Sequence, residues 1–325
     1  MKKNIGTLLR KLDQFTNNLY LRISDEKNIL LSFMFHAINI DEKIKINELI
    51  NPLLVCNIND LKIIIEYLLY NKYVFITPDD YLKGKKHSKR YVTLTFDDGY
   101  YNNIAALTVL KEYGIPAVFF ISTKYVLEKK AFWWDIIYRE RMKRGTTIQL
   151  IANEISQQKN KNVIDIEKYI TNEYGDKSLK PISDIDRPFT SSELKQFSKE
   201  NYVHIGNHTF SHTVLTICSD TQVKDEMLRA QNDLKMITGI KPTTISFPNG
   251  DYSDNILNIT KQIGFHSVFT TKGEKNKINN YLKSSPFIIN RKYINPTIDP
   301  IYQIDMCRSG ISKVYPFVKG ILQNL

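Results

Sequence analysis

The sequence predicts an α/β protein in which parallel strands alternate with helices. Short apolar runs of strand-like composition recur along the chain, and stretches of helical periodicity fill most of the gaps between them. We expect the strands near residues 29–35, 73–76, 91–96, 117–122, 202–206, 243–247, 267–270 and 286–289. We expect the main helices at residues 61–70, 103–113, 191–200, 221–238 and 254–263.

Residues at two predicted helix ends support this assignment. The helix over 103–113 is followed by Gly114, which accepts the left-handed conformation that often ends a helix. Thr190 and Glu193 match a capping box at the start of the helix over 191–200.

The chain divides into three predicted segments. Residues 1–28 form an amphipathic helical segment, residues 29–299 the main domain, and residues 300–325 a helical tail. Within the main domain, residues 124–188 interrupt the alternation of strands and helices, are polar and helical, and contain both tryptophans. We expect an insertion over the site, whose tryptophans either stack on a sugar or anchor it to the core.

The chain is basic, with 45 Lys and Arg against 34 Asp and Glu and a formal net charge of +11. Such a charge attracts phosphate-bearing substrates or an anionic membrane surface, but a composition rich in Lys, Asn and Ile explains it more simply. We expect no nucleic-acid partner, because no dense basic stripe is interleaved with aromatic residues. The N-terminal segment either lies on a membrane surface or packs on its own domain.

The sequence favours a cytoplasmic location. Lys2 and Lys3 are not followed by the uninterrupted apolar run of a signal peptide. Cys56, Cys218 and Cys307 lie far apart without paired spacing, which is typical of a reducing compartment. We also consider peripheral contact with the inner face of the membrane through the N-terminal segment.

Two adjacent carboxylates, Asp97 and Asp98, end a predicted strand and precede Gly99. Sites in parallel α/β folds form at this end of the strands. Two neighbouring carboxylates repel each other unless a cation lies between them. The alternative is an ordinary Asp-Gly turn with a helix-capping carboxylate.

His208 and His212 follow another predicted strand at the spacing i, i+4. In a helical turn this spacing places both imidazoles on one side, which favours a shared metal ion over two structural histidines. With Asp98 they leave one position open for water, as in catalytic zinc sites. The metal would lower the pKa of that water and polarise a carbonyl group, and Asp97 would be free to act as the base. This pattern predicts a metal-dependent hydrolase.

These stretches resemble two motifs of the polysaccharide deacetylase family, the NodB-like carbohydrate esterases of family 4. The motifs are T-F-D-D-G at residues 95–99 and H-T-x-x-H at residues 208–212, and the resemblance covers roughly residues 29–295. It implies an irregular (β/α) barrel, bound Zn²⁺ or another divalent transition metal, and removal of an N-acetyl group from an amino sugar. It also implies that Asp97 is the general base, with Asp98, His208 and His212 as metal ligands.

The third family motif departs from its usual form, R-x-P-x-G. Residues 246–250 read S-F-P-N-G, so the arginine that orients the base is missing from this position. Arg291 is the main candidate to supply that charge, and Arg187 is a weaker one. We assign Pro248 and Asn249 to the substrate side, because a backbone N–H near Asn249 would stabilise an oxyanion.

Two further departures concern His36 and Thr213. Thr213 replaces the proline that normally follows the second histidine, and the family's late leucine-rich strand ending in a catalytic histidine is absent from the C-terminal region. Residues 29–36 look like that strand moved to the front, as in circularly permuted family members. His36 would then protonate the departing amine, unless it is only a strand-end histidine. We also assign Tyr100, beside the first motif, to substrate binding.

We therefore expect a carbohydrate N-deacetylase that acts on a precursor or oligosaccharide in surface-polysaccharide biosynthesis. A cytoplasmic enzyme would meet a nucleotide-linked or lipid-linked sugar rather than a finished polymer. The alternatives are a deformylase or O-acetyl esterase with the same chemistry, a catalytically inactive sugar-binding module, and a scaffold component of a polysaccharide assembly complex.

Overall fold

A computed structural model describes residues 13–17, 19–23, 26, 28–40, 48–82, 90–277 and 287–310 of the chain, which contain one large sheet. Its ten strands are Ile29–Phe35 (β1), Tyr73–Phe75 (β4), Arg90–Phe96 (β5), Ala117–Ile121 (β6), Val203–Asn207 (β7), Thr244–Ser246 (β8), Ser267–Thr270 (β9), Asn276–Lys277 (β10), Phe287–Asn290 (β11) and Lys292–Tyr293 (β12). Ala37–Asn39 (β2) and Val55–Asn57 (β3) form a separate parallel pair. The eight strands predicted from the sequence are all present.

The main sheet curves into a nearly closed barrel. Its order is β10-β1-β5-β6-β7-β8-β9-β11, with β4 also paired to β5, and its pairs are parallel except that of β1 with β10. After β11 the chain passes through Arg291 into β12, which pairs with β1. The first strand thus lies between β5 and the last strand, and the prediction of an α/β barrel is confirmed.

Helices fill the connections between the strands. They are Ile58–Tyr70 (α1), Pro78–Leu82 (α2), Ile104–Tyr113 (α3), Thr123–Glu128 (α4), Trp133–Lys143 (α5), Ile148–Gln158 (α6), Val163–Tyr174 (α7), Ser191–Phe197 (α8), Asp220–Thr238 (α9), Asp254–Ile263 (α10) and Pro300–Ser309 (α11). The capping box of Thr190 and Glu193 is present, and Gly114 ends α3 with a left-handed φ of 64°.

The core lies between the barrel strands and the helices around them. All seven residues of β1 and all five of β6 are buried, as expected for parallel strands covered on both faces. Phe96 stacks on Phe119 with ring centroids 4.8 Å apart, which ties β5 to β6 directly beneath the end of β5. This packing fixes the strand ends from which Asp97 and Asp98 project.

The segment over 124–188 is largely helical and carries α5, α6 and α7. At the N-terminus, residues 13–17 and 19–23 are helical, whereas residues 1–12 of the predicted segment and the tail beyond Gly310 lie outside the described residues. In the part of the chain that is described, no helix combines the length and the apolar character needed to cross a bilayer.

Candidate active site

Asp97 and Asp98 lie at the carboxyl end of β5 and are 3% and 2% exposed. The amide of Asp97 donates to the carbonyl of Phe35 at 2.9 Å, so β1 and β5 end together at this edge. Asp98 has a φ of 74°, which is unusual for a residue with a side chain. Such backbone strain concentrates at functional sites. The left-handed backbone at Asp98 turns its carboxylate away from that of Asp97.

Asp98, His208 and His212 converge on one point. The Oδ1 atom of Asp98 lies 3.3 Å from Nε2 of His208 and 3.2 Å from Nε2 of His212. All three donor atoms lie within 4.8 Å of one another. Ligand atoms bound at about 2.0 Å to a tetrahedral ion lie about 3.3 Å apart, so these contacts fit a zinc-sized cation.

Contacts with Ser246 and Trp134 orient the two imidazoles. Nδ1 of His208 lies 2.8 Å from the carbonyl oxygen of Ser246 and donates to it, which leaves Nε2 with its lone pair toward Asp98. The ring of Trp134 lies against His212 with centroids 4.6 Å apart. The residues therefore fit a divalent metal, with one carboxylate and two neutral imidazoles as ligands.

The prediction of a helical turn over 208–212 is wrong. These residues form an irregular loop after β7, in which Thr209 and His212 have φ values of 64° and 58°. Side chains hold the loop instead of helical hydrogen bonds. Asn207 accepts from the amide of Thr209 at 2.8 Å, and Glu226 of α9 accepts from the amide and hydroxyl of Ser211 at 2.8 and 2.7 Å.

Arg291 binds Asp97 through two parallel hydrogen bonds of 2.6 and 2.8 Å. It is fully buried and also donates to Thr95 Oγ1 at 2.9 Å and to Ser246 Oγ at 2.7 Å. The structure thus brings to Asp97 an arginine that the third motif lacks. Arg187, the weaker candidate, is paired with Glu193 elsewhere.

The charges around Asp97 and Asp98 keep both carboxylates ionised. Burial by itself would raise the pKa of Asp97, but the Arg291 guanidinium and His208 hold it below its ordinary value. Burial would likewise raise the pKa of Asp98, but the adjoining imidazoles of His208 and His212 lower it strongly. An ionised Asp98 is suited to a cation, and an ionised Asp97 is suited to accept a proton.

His36 follows β1 directly and reaches the same edge of the barrel. Asn103 donates to its carbonyl at 2.6 Å, and its ring meets the edge of Tyr293 with centroids 6.3 Å apart. Nδ1 of His36 is buried and has no hydrogen-bond partner in the described part of the chain. A buried polar atom without a partner is uncommon in folded proteins, and His36 also lines the cavity of the site.

The turn after β8 brings Asn249 to the cavity in a left-handed conformation, with a φ of 58°. Its side-chain oxygen accepts from Lys159 at 3.0 Å and its carbonyl from Thr271 at 2.9 Å. Gly250 follows with a φ of 79°, and a Cβ there would lie 2.3 Å from Thr271 Oγ1. Pro248 is buried behind the turn and is not among the residues that line the cavity.

The assignment of Tyr100 to substrate binding needs correction. Its side chain is fully buried, donates to Asp135 Oδ2 at 2.6 Å and accepts from Trp134 Nε1 at 2.9 Å. It is not among the residues that line the cavity. The hydroxyl therefore supports Trp134, and through it His212, rather than facing the substrate.

A cavity of about 420 Å³ opens over these groups. The predicted catalytic and metal-binding residues His36, Asp97, Asp98, His208 and His212 line it. The insertion supplies part of the cavity wall, through Trp133, Trp134, Ile155, Lys159, Lys161, Val163 and Ile166. Both tryptophans pack in the core and also line the cavity, so they anchor the insertion, and stacking on a sugar stays a prediction.

Three contacts of the site were not predicted from the sequence. Trp134 packs against His212, and Ser246 links Arg291 to His208. Glu226 holds the loop through Ser211. Ser246 was visible in the third motif, at the position of the missing arginine. Glu226 gave no local signal, because it lies on a polar helix in which several acidic residues look alike.

Comparisons with solved structures support the barrel. The deacetylase PplD of Streptococcus pyogenes, solved in complex with acetate, is 17% identical and superimposes with a TM-score of 0.59, covering 86% of this chain and 99% of that one. IcaB of Ammonifex degensii is 18% identical, with a TM-score of 0.57 and coverage of 87% and 97%. At these identities the likeness establishes the fold.

Sequence comparisons reach the family level. The peptidoglycan-N-acetylmuramic acid deacetylase PdaA of Bacillus subtilis is 34% identical over 77 residues, which are 23% of this chain and 29% of that protein. The chain spans less than half the length of the curated relatives it matches. The sequence model described as polysaccharide deacetylase matches residues 84–268, more than half of the chain. With the barrel and the paired motifs in place, the chain belongs to the polysaccharide deacetylase family.

Proposed function

We propose that this protein is a metal-dependent hydrolase that removes an N-acetyl group from an amino sugar. The observation that carries the proposal is the convergence of Asp98, His208 and His212 beside a second carboxylate, Asp97, in one cavity. A cation site with an adjacent base is the equipment that amide hydrolysis requires.

The metal ligands and the base divide the two adjacent carboxylates between them. Asp98, His208 and His212 would hold Zn²⁺ or another divalent transition metal, which supplies Lewis acidity for the acetyl carbonyl and for the attacking water. Asp97 accepts the proton of that water, because Arg291 fixes both of its oxygens and keeps it ionised. The water oxygen then adds to the carbonyl carbon.

Two further groups complete the reaction. The backbone N–H at Asn249 donates to the developing oxyanion from the left-handed turn after β8. When the C–N bond breaks, His36 gives a proton to the nitrogen, so that the sugar leaves as a neutral amine and acetate remains. The paired ends of β1 and β5 support this role, because they bring His36 and Asp97 to one edge.

We further propose that the chain is a circularly permuted family member. In the barrel, β1 lies between β5 and β12, the place where a final strand would close the sheet. The family's catalytic histidine normally ends a strand late in the chain. Here β1, an early strand, would occupy that strand's place and bring His36 to the same position in the site.

A sugar precursor linked to a nucleotide or a lipid, or a short oligosaccharide, is the proposed substrate. The cytoplasmic location and the peripheral membrane contact belong to this proposal. Phe15, Leu19 and Ile23 on the N-terminal helical residues are between 55% and 79% exposed, which suits contact with an apolar surface.

Deformylation and O-deacetylation use the same groups and remain rival reactions, and the inactive sugar-binding module is the rival from another class. Retention of three candidate metal ligands and of a carboxylate paired with an arginine favours the enzyme over the module.

Acetate release from metal-stripped protein, with and without added Zn²⁺, tests the proposal. The panel contains nucleotide-linked N-acetylated sugars, short N-acetylated oligosaccharides, and formylated and O-acetylated analogues. We expect release that depends on added metal. Metal binding without release of any acyl group would favour the binding module, and absence of metal binding would contradict the hydrolase.

A further inference from the structure

Two lysines lie in the wall of the cavity that the inserted helices provide. Lys159 and Lys161 occupy the turn between α6 and α7, and both line the cavity. Their neighbours in this wall are mainly apolar, among them Ile155 and Ile166. The wall that faces the proposed metal site thus combines an apolar surface with two cationic groups.

Neither lysine is neutralised by a carboxylate in the described part of the chain, where no acidic group lies within 4.0 Å of either ammonium. The acidic residues that line the cavity are Asp97 and Asp98. Asp97 is paired with Arg291, and Asp98 faces the two histidines. Among the described residues, the positive charge of these two side chains is therefore left for a ligand.

Lys159 is held close to the reacting groups. Its Nζ donates to the side-chain oxygen of Asn249 at 3.0 Å, which places the ammonium beside the turn proposed to bind the oxyanion. Removal of water around Nζ lowers the pKa of Lys159, against the opposing effects of Asp251 and Asp98. Lys159, Asn249 and His212 line the same cavity, so an anion bound here would belong to the reacting sugar or to its immediate neighbour.

Lys161 lies farther along the same turn, with Nζ 5.8 Å from the centre of the Tyr169 ring. This cation–π contact orients the side chain without neutralising its charge. Two positive charges on one short turn, one fixed by an amide oxygen and one by an aromatic face, form a site suited to a carboxylate or a phosphate.

We infer that Lys159 and Lys161 form an anion subsite, and that the enzyme prefers amino sugars that carry an acidic group next to the acylated amine. The inference rests on the proposed function and deepens it. The acidic group is either a carboxylate of the sugar or a phosphate that links the sugar to a carrier.

Matched substrates separate these sources. The neutral probe is N,N′-diacetylchitobiose, the carboxylate probe is a disaccharide of N-acetylglucosamine and glucuronic acid, and the phosphate probe is N-acetylglucosamine 1-phosphate. The zinc-loaded full chain is compared with Lys159→Met, Lys161→Met and Lys159→Arg. Lys168→Met is the control, since Lys168 lies on the same insertion, is 70% exposed and does not line the cavity.

We expect the ratio of kcat/KM for the preferred anionic probe to that for the neutral probe to fall about three- to tenfold in each Lys→Met variant. The fall should appear mainly in KM, Lys159→Arg should retain the preference, and added salt should reduce it. If this ratio falls for only one of the two anionic probes, the acidic group of that probe is the one that the subsite binds. Lys168→Met should leave the ratio unchanged.

Equal losses on neutral and anionic probes would overturn the inference, because Lys159 would then only brace Asn249. A calorimetric measurement of probe binding separates this failure from that of the proposed function. If no probe is hydrolysed, the deacetylase proposal fails, while tighter binding of an anionic probe that depends on both lysines still supports the subsite. Absence of any preference in binding and in turnover overturns it.

Discussion

Asp97 and Asp98 are neighbours in the chain but have different surroundings. Asp97 continues the direction of β5 into the guanidinium of Arg291, whereas the left-handed backbone at Asp98 directs its carboxylate to His208 and His212. The proposed base and the proposed metal ligand thus differ by one change in φ, and each contacts residues that follow other strands.

Arg291→Lys tests how the base is oriented. Lysine keeps the positive charge but loses the planar pair of hydrogen bonds that holds both oxygens of Asp97. We expect kcat for acetate release to fall about 10- to 100-fold while zinc content stays the same. Arg187→Lys is the matched control and should retain activity. An unchanged kcat in Arg291→Lys would show that Asp97 needs no such orientation.

His36→Ala tests the general acid. Loss of a proton donor should lower kcat on an N-acetylated sugar about 100-fold or more, without loss of zinc. The same variant should retain most of its rate on 4-nitrophenyl acetate, because that leaving group departs without protonation. Equal losses on both substrates would assign His36 to binding or structure.

The site residues that could be predicted from the sequence are those that lie together in short motifs. Asp97, Asp98, His208 and His212 stand out because two pairs of such groups are rare at strand ends. Whether a neighbouring side chain is buried or faces the cavity cannot be predicted from such a motif. Tyr100 follows the same motif, yet its side chain turns into the core toward Asp135.

At the scale of elements, two irregular connections shape the site. The loop after β7 carries both histidines, and the turn after β8 carries Asn249. Each contains non-glycine residues with positive φ, so each is held by contacts rather than by regular structure.

Gly250→Ala tests the turn after β8, with Gly239→Ala as its control. Both glycines have φ near +80°, but a Cβ at Gly239 meets nothing within 4 Å, whereas one at Gly250 overlaps Thr271. Gly239→Ala should cost about 1–2 kcal/mol of unfolding free energy, for the backbone alone. Gly250→Ala should cost about 1–3 kcal/mol more and lower kcat/KM, because Asn249 must move. Chemical denaturation and acetate assays measure both effects, and equal costs would contradict the close contact.

Regular elements were predictable because composition and periodicity are local. The loop over 208–212 was not, since its conformation depends on Glu226, which lies on α9 and meets Ser211 only after folding. The spacing of the histidines correctly indicated that their side chains converge, but not the backbone that brings them together.

At the scale of the molecule, the ends of the described chain meet beside the barrel. Arg308 of α11 binds Glu26 at 2.8 Å, and both side chains are at most 5% exposed. Glu26 also faces Arg90 at 3.3 Å and accepts from Tyr73 at 2.8 Å, and Asp305 lies on the other side of Arg308 at 2.9 Å. This network joins Glu26, three residues before β1, to the helix that follows β12.

The network predicts a dependence of stability on pH. Burial would raise the pKa of Glu26, but Arg308 lowers it below its ordinary value. The unfolded chain therefore binds the proton more tightly, so the contribution is present above the ordinary glutamate pKa and is lost as the pH falls below it. At pH 7 Glu26→Gln should lower the unfolding free energy by about 1–3 kcal/mol, and the difference should shrink in acid.

Glu200→Gln is the control for this measurement, since Glu200 pairs with Lys111 at the surface and should contribute less than about 1 kcal/mol. A difference between wild type and Glu26→Gln that does not change with pH would contradict the account of the ion pair.

The closure of the barrel by its first strand could be suggested only through the histidine at its end. Apolar composition marks residues 29–35 as a strand, but their place between β5 and β12 depends on pairings that span most of the chain. Sequence patterns predict that such a strand exists, and long-range packing decides where it lies.

Zinc content and acetate release measured together in Asp97→Asn and Asp98→Asn test the central claim, that one carboxylate acts as base and its neighbour binds the metal. Asp97→Asn should bind one zinc ion per chain and release almost no acetate. Asp98→Asn should lose both zinc and activity. Turnover that survives in Asp97→Asn, or full zinc binding in Asp98→Asn, would contradict the division of roles on which the proposed mechanism rests.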